Sequence, residues 1–145
     1  MTDSLYPLID GVDIPDWLFE AVLCEPNKGQ IGAAEIHDWV DDVLLPLAKR
    51  HFLAREGLRV SSNHVHIGSV GLDPHNHLPH ALTSILYLTD SEGCLVLHLK
   101  EGGIPITPRA GRFVTFSAGV VHHVEPSPSD ELRISLVTNY EYPSV

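Results

Sequence analysis

The sequence predicts a mainly β domain with helices packed outside it at the N-terminal end. Two patterns carry that expectation. Between Ile31 and Leu53, apolar residues recur at helical spacing, as Ile36, Trp39, Val40, Val43, Leu44 and Leu47. From Leu58 onward, apolar and polar residues alternate in short runs broken by glycine, proline and aspartate. Short strands at regular spacing fit a sandwich or barrel better than βαβ units, and helices that precede such a body pack against its outside. The 145 residues suffice for one hydrophobic core and read as a single domain, helical over 1–57 and β over 58–145.

The elements follow in order. Residues 1–14 read as a loop or short leading strand anchored by Leu5, Leu8 and Ile9. A helix starts near Asp13-Ile-Pro15, with Asp13 as N-cap and Pro15 in the first turn, and stops before Pro26. Asn27-Lys-Gly29 is turn chemistry. The amphipathic helix that follows is kinked or restarted at Pro46, because proline lacks the N–H that an inner helical turn needs. Trp39 belongs to its packing face, and Gly57 closes the helical part. Strands are expected near 58–70, 82–89, 94–99, 104–107, 112–116, 120–125 and 131–141. Turns are expected at Asp73-Pro74, Glu92-Gly93, Gly102-Gly103, Gly111, Gly119 and 126–130.

Composition narrows the function classes. Apolar residues make up 43% and charged residues 19%, as in ordinary globular chains. A formal charge of −10 argues against an electrostatic nucleic-acid binder. The acidity concentrates in residues 1–50, which hold ten acidic and three basic side chains, and reads as solvated helix surface. An acidic surface favours a cationic or neutral substrate. No apolar run reaches the length of a membrane helix. The N-terminus has no basic segment of the signal-peptide kind, so a cytoplasmic location is expected. Cys24 and Cys94 form no close-spaced motif. A homodimer is expected only because dimers are common.

Histidine is the commonest metal ligand, and eight of the ten histidines lie between His64 and His123. Residues two apart on a strand share a face, so His75-Asn-His77 is a natural two-ligand element. His64-Val-His66 has the same spacing, and hydrogen-bonded structural histidines would explain either pair. Parity separates His122 from His123. Val120, His122 and Val124 share the more apolar face, which points His122 inward and His123 outward. Arg133 lies two residues before Ser135 in an apolar strand and needs an anionic partner. Its planar fork suits a carboxylate; the alternative is a local ion pair with Asp130 or Glu131.

These pieces, His75-Asn-His77, Leu82 to Leu88 with Tyr87, Pro108 to Phe116, His122 to Pro126 and Arg133-Ile-Ser135, resemble in order and spacing the small Fe(II)/2-oxoglutarate-dependent oxygenases of the prolyl-hydroxylase-like group. The resemblance spans residues 75–142, about half the chain. It implies a double-stranded β-helix (jelly-roll) core over 58–145 with the helices bracing one sheet. It implies His75 and His122 as iron ligands, Arg133 with Ser135 on the distal carboxylate of 2-oxoglutarate, and a Tyr87 hydrogen bond to the same cosubstrate. The activity implied is hydroxylation of a small molecule or an amino-acid or peptide side chain, coupled to conversion of 2-oxoglutarate to succinate. In that family an aspartate or glutamate usually stands two residues after the first histidine. Here His77 stands in that place, and Asp73 is a possible substitute carboxylate.

A second resemblance is to the cupins, which share the jelly-roll architecture and often use three histidines. Gly111-x5-Ser117-x-Gly119-x2-His122 nearly reproduces their second motif. His75-x-His77 opens their first, but Ala81 and Leu82 stand where its glutamate is expected. A cupin-type metalloenzyme and a non-catalytic jelly-roll binding module are therefore the competing readings. Candidate pocket-lining groups are His64, His66, His98 and Arg109.

Overall fold

A computed structural model describes residues 6–52, 54–128 and 132–143. Two antiparallel sheets face each other. One runs β1 (Leu8–Ile9), β7 (Phe113–Ser117), β4 (Leu82–Tyr87), β9 (Arg133–Glu141), β2 (Arg59–Gly68). The other runs β3 (Leu72–His75), β8 (His122–Val124), β5 (Leu95–Leu99), β6 (Gly102–Ile106). Apart from the short β1, each sheet takes four strands, and successive strands of β2 to β9 cross between sheets in the jelly-roll manner except at the β5–β6 hairpin, which stays in the smaller sheet. The expected mainly β architecture with outside helices is what forms.

Two cores result from strand alternation. Ile85, Val114, Phe116 and Val137 from the larger sheet meet Leu95, Leu97 and Ile106 from the smaller one. The opposite face of the larger sheet presents Val65, Leu86, Phe113, Leu136 and Tyr140 to the helices. Both faces of β4 and β9 are thus covered, which explains their unbroken burial. A buried polar chain also joins helix to sheet. Thr138 donates to Asn63 Oδ1 at 2.7 Å, Asn63 Nδ2 lies 2.9 Å from His37 Nδ1, and His37 Nε2 donates to the Ile31 carbonyl at 2.7 Å. His37 is a structural histidine of the hydrogen-bonded kind.

The helical region departs from expectation in detail. α1 spans Asp16–Leu23 with Pro15 at the N-cap, so Asp13 lies outside and no side chain caps the helix. The long helix divides into α2 (Ala34–Trp39), a π-turn (Val40–Leu44) and α3 (Leu45–His51). Pro46 has no N–H to offer, and just ahead of it Leu45 N–H reaches back to Val40 C=O, five residues away. The wider turn has a packing consequence. Ile36, Val40, Leu44 and Ala48 are all fully buried at four-residue spacing. Four residues overshoot a 3.6-residue turn, and the π-turn takes up the drift that would swing Ala48 off the core. Trp39 packs partly buried against this cluster. Leu5 and Leu53, expected to contribute, lie outside the described residues. Among the described residues no helix is long and apolar enough to cross a membrane.

Two expected turns are strand instead. Asp73-Pro74 sits within β3, and Gly102-Gly103 opens β6. Both are edge strands of the smaller sheet, where a missing donor or side chain is tolerated.

Leu136 is fully buried between sheet and helices. Leu136→Ala is expected to lower stability by about 2–5 kcal/mol, read as a lower urea midpoint. Leu132, 54% exposed, is the control, and its alanine variant should stay within about 0.5 kcal/mol of the parent.

Candidate metal centre

β3 and β8 place the first two histidines. Their register pairs Leu72 with Val124 and His75 with His122, leaving two residues on one strand against one on the other. The extra residue is a bulge at Asp73-Pro74. It restores inward direction to His75, which strict alternation from Leu72 would send outward. Asp73, next to the inward Leu72, stays on the outer surface, where it is exposed, and the bulge keeps it off the face of His75. Asp73 is therefore not the carboxylate of this cluster. His77 lies beyond the end of β3 and is held by its backbone N–H, which donates to the Ala118 carbonyl at 2.8 Å. Ala118 belongs to the expected tight turn at 117–119, closed by Val120 N–H to Ser117 C=O at 3.0 Å. The turn that leads into β8 thus also seats His77.

Three rings converge. Their centroids lie 4.4 Å apart for His75–His122, 5.0 Å for His77–His122 and 5.3 Å for His75–His77. One ring nitrogen from each lies within 4.8 Å of the other two. Two Nδ1–H groups are committed to backbone carbonyls: His75 to Asp73 at 2.7 Å and His122 to Val120 at 3.1 Å. A carbonyl only accepts, so these bonds fix the tautomer and leave Nε2 with its lone pair. Metal-ligating histidines are oriented in this way. Nε2 of His77 and Nε2 of His122 are 3.2 Å apart, close enough to share one ion at the usual ~2.0–2.1 Å. The donor set fits a metal ion.

Strand parity separates the neighbours: His122 is 2% exposed in the pocket, while His123 faces away and meets His98. His66 lines the same pocket, in a row with Ser135 and Tyr87 across β2, β9 and β4. His64 lies in the next row, beside Val137 and Ile85, outside the pocket lining. His98 is on the outer side of the sheet. Arg109 is turned to the Ser91 and Pro108 carbonyls.

Arg133 is buried at the pocket, near the Tyr87 side chain. Nη2 donates to Val70 C=O at 2.9 Å. Nη1 donates to Glu125 C=O at 3.2 Å, Ser127 Oγ at 3.3 Å and Gly93 C=O at 3.4 Å. All of these acceptors are uncharged, so they fix the guanidinium without neutralising it. The expected alternative partners, Asp130 and Glu131, lie outside the described residues. Ser135 and Tyr87 line the pocket with it. Gly93 was read only as a turn, yet a Cβ there would stand 2.6 Å from Arg133 Nη1. No sequence pattern signals that close approach. The apolar walls, Leu72, Ile85, Val124 and Val137, were also unassigned, because strand parity shows a face but not which end of the barrel opens.

Burial sets the protonation of the cluster. It pushes His122 down to about 4, assisted by His75 and His77 and opposed by the Val120 hydrogen bond. It pushes His77 down to about 4 as well, assisted chiefly by His75, with the Asn139 side chain opposing. His66 falls to about 4 through burial, then His64 and Lys28. All three are neutral at pH 7. Unfolded, they would take up protons near the ordinary 6.5. Between those values the unfolded chain binds more protons, so stability falls as pH falls. The metal-free protein should show a Tm that is level above about pH 6.5 and declines from there toward about 4, measured by thermal scans across pH. A Tm unchanged over that window would contradict neutral burial of the three rings.

No protein-family model and no curated protein sequence matches the chain. Solved structures do. The epimerase SnoN of nogalamycin biosynthesis, an alpha-ketoglutarate-dependent non-heme enzyme, superposes with a TM-score of 0.76 at 20% identity, over 94% of this chain and 77% of that one. A prolyl-4-hydroxylase from Pseudomonas putida gives 0.71 at 19% identity, over 96% and 93%. The viral collagen prolyl hydroxylase of Paramecium Bursaria Chlorella virus-1 gives 0.74 at 14% identity, over 96% and 90%. Across nearly its whole length the chain has the double-stranded β-helix fold of the Fe(II)/2-oxoglutarate-dependent oxygenases.

Proposed function

We propose that the protein is an Fe(II)- and 2-oxoglutarate-dependent oxygenase that hydroxylates a small molecule or an amino-acid or peptide side chain. One observation carries this reading: a single pocket holds three convergent imidazoles and a buried arginine whose bonds to the described residues all go to uncharged acceptors. The fold likeness supports it, since SnoN has been solved with Fe3+ and alpha-ketoglutarate. The similar structures include an epimerase, a carbocyclase and prolyl hydroxylases, so hydroxylation rests on the sequence resemblance and not on the fold.

In this reading His75, His77 and His122 hold the ion. Iron and 2-oxoglutarate, when bound, would together supply the oxidation, consuming dioxygen, releasing succinate and carbon dioxide and hydroxylating a substrate C–H bond. The chain's own work is binding and orientation. Arg133 receives the distal carboxylate, because a dicarboxylate in a buried pocket needs its far charge matched. The Ser135 hydroxyl and the Tyr87 phenol add neutral hydrogen bonds. Burial raises the pKa of Tyr87, so it stays protonated and able to donate. Leu72, Val124 and Val137 keep water from the same space.

The three-histidine set also favours a second reading, a cupin-type metalloenzyme that needs no 2-oxoglutarate. Anaerobic titration separates the two. Fe(II) followed by 2-oxoglutarate should produce a visible absorption band. Metal binding indifferent to 2-oxoglutarate would support the cupin reading, and no metal binding would leave a binding module.

Arg133→Ala should weaken 2-oxoglutarate binding by about 2–5 kcal/mol, read by titration of the iron-loaded protein. Gly93→Ala should weaken it too, because its Cβ would displace Nη1. Unchanged cosubstrate affinity in Arg133→Ala would remove the arginine from its assigned role. His122→Ala should abolish iron-dependent succinate formation while His123→Ala retains it, and the reverse outcome would overturn the inward assignment of His122.

A further inference from the structure

The histidine that faces away from the pocket has surroundings of its own. His122 and His123 are consecutive on β8, so they project from opposite faces of the smaller sheet. On β5, Leu97 points inward and is fully buried, while its neighbour His98 is exposed on the outside. β5 and β8 are paired with Val96 opposite His123, which makes His98 and His123 diagonal neighbours on that outer face. The His98 backbone N–H donates to Val121 C=O at 2.8 Å and locks the register. Nε2 of His98 stands 2.6 Å from Nδ1 of His123, with the rings 4.9 Å apart and nearly perpendicular. Asp73, next to the inward Leu72, comes to the same side from β3. Asp73, His98, His123 and Glu125 line one open cleft on the surface.

We propose that this outer cluster is a second metal site, which binds one late divalent transition-metal ion of the Zn2+, Ni2+ or Cu2+ kind. His98 Nε2 and His123 Nδ1 are its protein ligands, and water completes the coordination. Imidazole donors select these ions over Mg2+ and Ca2+. Both rings sit on paired strands, so little ordering remains to be done when the ion binds. The two nitrogens already converge, and each needs only a small ring rotation to admit an ion between them. The carboxylates of Asp73 and Glu125 in the same cleft lower the charge that an ion would otherwise bring to the surface. The outer site is independent of the oxygenase reading and of any cosubstrate. Its ion would tie β5 to β8 directly behind His122, so binding should also stabilise the fold, as any ligand of the native state does.

The test is calorimetric titration of the metal-free full chain with Ni2+ at neutral pH, with Mg2+ as the control. The wild type should bind two equivalents of Ni2+, one at each cluster. His122→Ala should keep one equivalent, and His98→Ala should also keep one. In the His98→Ala/His122→Ala double variant, binding should weaken by more than about tenfold. A Ni2+-dependent rise in Tm should persist in His122→Ala and vanish in the double variant. His98 is exposed, so its replacement leaves the fold intact. If His98→Ala binds Ni2+ with the stoichiometry and affinity of the wild type, the outer site is disproved. If His122→Ala binds no Ni2+ while remaining folded by circular dichroism, the proposal fails equally.

Discussion

Two residues of β3, Asp73 and Pro74, are laid against one of β8, and the inward placement of His75 depends on that mismatch. With strict alternation, Leu72 and His75 would lie on opposite faces. With the bulge, both turn into the barrel, Leu72 as wall and His75 as partner of His122. The same bulge separates Asp73 from His75, which alternation would put on one face. One backbone irregularity therefore parts the carboxylate from the inner cluster and leaves it on the outer side. Pro74 within the bulge costs no ladder bond that the edge of the sheet needed.

The second constraint is charge. The chain carries 19 acidic side chains against nine lysines and arginines, yet among the described residues no acidic side chain lines the inner pocket. Its charged member is Arg133, held by backbone carbonyls and Ser127. A buried charge without a counter-charge is costly, and dipolar acceptors only partly offset that cost. The remaining attraction is available to an anion. This bears on the substrate expectation from composition. The net charge describes the outside, whereas the pocket is neutral imidazole, hydroxyl and guanidinium, so the favoured charge of a ligand reverses on passing inward.

Much of this was legible in the sequence because alternation is a strong local rule. It separated His122 from His123, placed Arg133 and Ser135 on one face of an apolar strand, and predicted helices outside a β body. It failed where a residue departs from the repeat. The bulge made Asp73 look like a plausible substitute ligand, and the Asp73-Pro74 pair itself read as a turn. Pro46 was correctly marked as a disturbance, but the response, a π-turn just before it that keeps Ile36 to Ala48 on one face, depends on the sheet the helix covers. Gly93 shows a different limit. Its role is to leave room for a guanidinium that arrives from forty residues later in the chain, and no local pattern encodes such a contact.

His77 is the point at which the inner cluster departs from the two-histidine, one-carboxylate pattern, and the structure gives that departure a physical setting. A carboxylate at this position would lie beside the buried His122 and the half-buried His75 and share their desolvation. A neutral imidazole avoids that cost, at the expense of leaving a dication uncompensated by its protein ligands. With Arg133 in the same pocket, the compensating negative charge must come from what binds there. A dianionic cosubstrate would supply it at both ends, one carboxylate toward the ion and the other toward the guanidinium. In such a pocket, metal and cosubstrate should favour each other's binding more strongly than where a protein carboxylate already balances the ion. The absence of a carboxylate among the three convergent ligands therefore does not count against 2-oxoglutarate. In the proposed reading, the cosubstrate would carry the charge that an aspartate or glutamate otherwise supplies.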